Sequence, residues 1–144
     1  MGSLITFGIS AQAADHCQTA VTARQHQFVV DEPPSLGGGD AGPNPVEYML
    51  GALAGCLNVV AHMIAKEMNI QLNSLKLDLE GSLDPTVFLG QNPDGRPGFT
   101  EIRVKMHADT DATPEQLEQW IAAVKARCPV SDNIGNATPV VISL

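Results

Sequence analysis

Basic residues are scarce in this chain of 144 residues: eight Lys and Arg stand against sixteen Asp and Glu, a net charge of -8. Nucleic-acid binding needs clustered Lys and Arg, and these eight are scattered from Arg24 to Arg127, which sets that class aside. Cysteines number only three, an odd count too small and too unevenly spaced for the disulfide framework of a secreted scaffold. The four histidines, His16, His26, His62 and His107, lack metal-ligand spacing, so neither a metal nor a cofactor is expected. The Gly37 to Gly42 stretch reads as a flexible loop feeding a helix, without the Lys-Ser/Thr of a phosphate-binding loop. Ala11-Gln12-Ala13 looks like a signal cleavage site, but no Lys or Arg precedes it and Leu4 to Ile9 is too short for a signal core. A cytoplasmic location is therefore expected.

Charge is missing altogether from Tyr48 to Ala65. That length is enough for a bilayer span, yet Asn58 and His62 interrupt it and no positive cluster flanks it, so no membrane is expected. A helix apolar all round is otherwise buried on every side, which needs more cover than one sheet supplies. A partner chain is the natural source of that cover. The start of the helix is well marked: Asn44 suits the N-cap, Pro45 the first turn, and Glu47 the third position, from which its carboxylate reaches back to the cap.

With 44% apolar and 17% charged residues, the chain reads as one globular domain, 1-144. Strands are expected over about 3-31, the central helix over about 45-68, and strands with alternating apolar residues over 74-80 and 99-108. A second helix is expected over 114-127, capped by Thr113 with Gln116 at its third position. A short helical turn follows Cys128, and Val140-Val141-Ile142 marks a last strand over 139-143. The fold class is α+β with a largely antiparallel sheet.

Chemistry rests on Cys56 and Cys128. Cys56 follows the small residues Gly51, Ala52, Ala54 and Gly55, in a setting that suits a plain core thiol equally well. Its own helix N-terminus is three turns away, too far to acidify it. Cys128 precedes Pro129, so it is expected to cap the next helical turn, where backbone N–H groups favour a thiolate. On local grounds Cys128 is the more acidic of the two. Cys17, beside His16, has no supporting feature and reads as structural.

Gly42-Pro43-Asn44-Pro45-Val46-Glu47 running into Ala54-Gly55-Cys56, followed far downstream by Cys128-Pro129-Val130-Ser131, resembles the OsmC/Ohr family, in its OsmC-like branch. The resemblance implies an intertwined homodimer with antiparallel sheets around long central cysteine-bearing helices. It also implies thiol-dependent reduction of organic hydroperoxides. Cys56 then matches the cysteine that attacks the peroxide and becomes a sulfenic acid. Cys128 matches the one that resolves it to a disulfide, later reduced by a dithiol such as a lipoyl group. Glu47 is the third candidate catalytic residue, its carboxylate placed near the mouth of the helix to orient an arginine or take a proton. Two departures stand out. The hydroperoxide-resistance branch has its acid directly after Asn-Pro, where this chain has Val46, and a one-position shift turns a helical side chain by about 100°. That branch also carries an arginine in the first hairpin; none lies at Ala14 to Cys17, and Arg24 comes one strand later. The alternative is a non-catalytic protein of the same fold that binds an apolar ligand.

Overall fold

A computed structural model describes residues 2–144. They fall into two compact units, one ending at Met49 and one of Leu50–Leu144.

In the first unit, β1 (Ser10–Ala13), β2 (Thr19–Ala23) and β3 (His26–Val30) form an antiparallel meander in that order. Pairing begins at Ser10, opposite Thr22. The first strand therefore starts later than the expected 3, because β2 runs out: Ala23 already pairs with His26 across the two-residue turn Arg24-Gln25. Arg24 takes φ 56 there, the left-handed region that tight hairpins use, and is exposed. Leu4, Ile5 and Phe7 are left in the open.

Pro33-Pro34 ends β3, since proline cannot donate to a ladder. The glycine loop that follows is pinned rather than loose. Asp31 is 1% exposed, and its carboxylate accepts from the Glu32 N–H at 2.8 Å and the Ala41 N–H at 3.0 Å. The Asp31 N–H donates to Pro43 O, and Asp40 N–H to Glu32 O. Gly38 makes this closure possible: a Cβ there would lie 1.9 Å from Glu32 O. Composition suggests flexibility here, but a buried carboxylate supplies the acceptors that the turn needs.

Helix α1 (Pro45–Glu67) begins in this unit, and its Asn44–Glu47 capping box is reciprocal. The Glu47 N–H donates to Asn44 Oδ1 and the Asn44 N–H to Glu47 Oε2, both at 2.9 Å. The Tyr48 hydroxyl donates to Val29 O at 2.6 Å, tying the first turn to β3.

In the second unit, α1 lays down the apolar stripe Leu53, Leu57, Val60, Ala61, Ile64 and Ala65, all buried. Against it pack Leu75, Leu77 and Leu79 of β4 (Leu72–Ser82) and Ile102 and Met106 of β5 (Glu101–Thr110). The two strands pair antiparallel, Leu77 opposite Met106, and run two residues beyond the alternating pattern at most ends. Their loop holds one unexpected helical turn, α2 (Pro85–Phe88), capped by the Asp84 carboxylate on Thr86 N–H. Helix α3 (Pro114–Arg127) has the expected Thr113–Gln116 capping box and buries Trp120 and Val124; α4 is Pro129–Gly135.

One expectation fails. The segment 139–143 forms no strand: Val140, Val141 and Ile142 are 81%, 91% and 90% exposed. β-branched residues favour a strand only where a neighbour supplies a ladder, and among the described residues none pairs with this segment.

Candidate dithiol site

The site begins with a proline. Pro129 bars the residue before it from helical backbone, and Cys128 accordingly sits at φ -83, ψ 109, ending α3 and opening α4. Its Sγ accepts the Ser131 N–H at 3.4 Å, the N-cap expected from the sequence. Cys128 is 1% exposed and belongs to the core that α1 builds. Cys56 projects from α1, half-buried, and packs against that same core. The two thiols, 72 positions apart in sequence, meet at this core, close enough that Cys56 raises the Cys128 thiol, and no disulfide joins them.

Their electrostatics reverse the local expectation. Burial pushes the Cys128 thiol up, the Ser131 amide pulls it down, Cys56 pushes it up again by hydrogen bond and charge, and the Val130 amide pulls it down. Desolvation outweighs the cap, so the Cys128 thiol is raised rather than acidified and stays neutral at neutral pH.

Two contacts fix α3 on α1. The Trp120 indole N–H donates to Ala61 O at 2.9 Å, deep in the core with Trp120 only 2% exposed. Arg127 forks onto Glu67, Nη1 to Oε2 at 2.6 Å and Nη2 to Oε1 at 3.1 Å, with Nη2 also 3.9 Å from Met63 Sδ. The hydrogen bond to Arg127 holds the Glu67 carboxyl below the usual range. The helical periodicity of Trp120 marks it as core, but nothing in the periodicity reveals its N–H bond. The Arg127–Glu67 pair is 60 residues apart and leaves no sequence signal.

The remaining candidates lie elsewhere. Glu47 is exposed and engaged in the capping box of the first unit. Cys17 is half-buried in that unit, Sγ 3.8 Å from Leu36 O; burial raises its thiol, aided by Asp15, Asp31 and Glu32. His62 is exposed rather than core, with Nδ1 2.9 Å from Asn58 O on its own helix. Among the described residues no three His, Cys, Asp or Glu form a metal-binding group.

Antiparallel sheets, a half-buried cysteine on the long helix and a buried one at a Cys-Pro helix break define a thiol-bearing α+β class. The family described as OsmC-like protein matches residues 37–143, and the chain belongs to it. Solved structures agree in fold. An OsmC-like protein from Mycoplasma pneumoniae aligns with TM-score 0.78 at 22% identity, over 91% of this chain and 88% of that one. An organic hydroperoxide resistance protein OsmC from Legionella pneumophila gives 0.64 at 22%, over 92% and 91%. The organic hydroperoxide resistance protein OhrB of Bacillus subtilis gives 0.60 at 22%, over 90% of each. No curated protein sequence matches the chain at a significant level.

The burial difference has a direct readout. A thiol raised in the folded state stabilises the protein below its unfolded pKa of about 8.5 and loses that contribution as pH climbs through the folded value. Stability of the reduced protein should therefore fall as pH rises from about 8.5 through the folded value, and less so in Cys128→Ala. In parallel, iodoacetamide at neutral pH should label Cys56 at least about tenfold faster than Cys128, since only thiolates react. Equal labelling rates by peptide mass spectrometry contradict the assignment.

Proposed function

We propose that this protein is a thiol-dependent peroxidase for organic hydroperoxides. The observation that supports the reading is that Cys56 and Cys128 share one core, with the more deeply buried thiol raised. A Cys56 thiolate attacks one peroxide oxygen: the S–O bond forms, the O–O bond breaks, and the alkoxide leaves and takes up a proton. The Cys56 sulfenic acid then meets the Cys128 thiol, forming the S–S bond and releasing water. An external dithiol such as a lipoyl group reduces the disulfide, becoming a disulfide itself. No cofactor is required. A cytoplasmic setting would keep such thiols reduced between turnovers.

Glu47 enters as a candidate proton donor, although capping already occupies it. Gln at the third helical position also completes a capping box, so Glu47→Gln separates the two roles. The family match, residues 37–143, runs across the boundary between the two units, in keeping with one domain over 1-144. A homodimer follows from surface left bare in one chain: Val59 and Met63 of α1 are 64% and 42% exposed, and Gly51 and Gly55 have nothing near an added Cβ. The apolar ends, Leu4 to Ile9 and Val140 to Ile142, are exposed as well. Unpaired apolar segments of this kind suit exchange between two chains.

One equivalent of cumene hydroperoxide should yield a Cys56–Cys128 linkage by mass spectrometry. Cys56→Ser should abolish peroxide consumption, while Cys128→Ser should leave a trappable sulfenic acid. Glu47→Gln should slow the first step by at least about tenfold if the carboxylate serves the chemistry. Absence of the linkage contradicts the peroxidase reading, and stabilisation of Cys56→Ser by fatty or aromatic ligands as strong as that of wild type would point to the ligand-binding alternative. Light scattering should give twice the chain mass of 15.2 kDa; a monomer at micromolar concentration rules out the exchange.

A further inference from the structure

Cys56, Val60, Met63 and Glu67 recur at the spacing of one helical stripe, so Glu67 stands about 16 Å beyond Cys56 on the same side of α1. Arg127 precedes Cys128, and its guanidinium reaches Met63 Sδ and grips both Glu67 oxygens. Its side chain is therefore stretched along the very stripe that begins at Cys56. The backbone between Arg127 and Cys128 is the last turn of α3, stopped by Pro129, so it has little freedom to swivel. Restraint at Glu67 on one side of this joint thus sets where the Cys128 sulfur points on the other.

We propose that Arg127 and Glu67 are positioning residues for disulfide closure: their fork aims Cys128 at Cys56 without touching the reacting atoms. The inference deepens the peroxidase reading for its sulfenic-acid step, but the geometric effect belongs to the thiol pair whatever the oxidant. Both partners are about half exposed, at 44% and 51%, and such pairs add little to stability. Their value lies in geometry, because a bidentate guanidinium–carboxylate contact fixes orientation as a single point charge does not.

The test separates aim from folding and from peroxide chemistry. Full-length wild type, Glu67→Gln, Arg127→Gln, Arg127→Lys and the charge-reversed pair Glu67→Arg with Arg127→Glu are equilibrated with glutathione redox buffers. Protein dithiol and glutathione disulfide exchange to protein disulfide and two glutathiones, and the equilibrium gives the effective concentration of one thiol at the other. Each Gln variant should lose at least about tenfold in effective concentration, within the roughly hundredfold that a misplacement near 1 Å can cost. Arg127→Lys should lose nearly as much, the reversed pair should recover most of it, and urea midpoints should scarcely move. With hydroperoxide, sulfenic acid formation at Cys56 should keep its wild-type rate while closure slows and sulfinic acid accumulates. Unchanged effective concentration in both Gln variants overturns the proposal, as does loss that only tracks the urea midpoint. If wild type closes with glutathione but not with peroxide, the peroxidase reading fails and the positioning role stands.

Discussion

The architecture of the site depends on one imide. Pro129 can donate no backbone hydrogen bond and bars its predecessor from helical backbone, so α3 must end at Cys128 and α4 must begin there. A single residue then caps two helices while its sulfur is withdrawn into the core that α1 lays down. Withdrawal keeps the sulfur protonated, and the packing of α3 on α1 brings Cys56 to it. Every chemical possibility of the second unit follows from that conjunction of helix break, burial and neighbour.

Burial and capping compete at Cys128, and the balance matters for the order of events. An N-cap thiol in water would be acidified by the amides that face it. Here the amides of Ser131 and Val130 act on a sulfur that water scarcely reaches, and desolvation prevails. On the proposed peroxidase reading, a neutral thiol beside a less buried partner suits a sequence in which the outer sulfur meets oxidant first.

Much of this was legible in the amino-acid order because it is written in local signals. The capping boxes at Asn44–Glu47 and Thr113–Gln116 occur where the N-cap chemistry puts them. The alternation of Leu75, Leu77 and Leu79 against Ile102 and Met106 is that of two half-buried strands. The Cys128-Pro129 break is equally local. What escaped was non-local. Whether Ser10 or Leu4 begins the first ladder depends on where β2 turns, and Val140 to Ile142 has strand propensity without a strand to join. The pinned glycine loop depends on a carboxylate, Asp31, that sequence gives no reason to bury. The acidity of Cys128 was misjudged because capping is a sequence property and desolvation is not.

The contact between two sulfurs 72 residues apart is the central claim, and a trivalent arsenical measures it without any redox step. Phenylarsine oxide bridges two thiols within bonding reach, forming two As–S bonds and releasing water, and bridges no others. The reduced native protein should take up one equivalent that links Cys56 to Cys128 and is lost on unfolding in urea or in Cys128→Ser. A native protein that takes up no bridging arsenic, or bridges a pair that includes Cys17, contradicts the account.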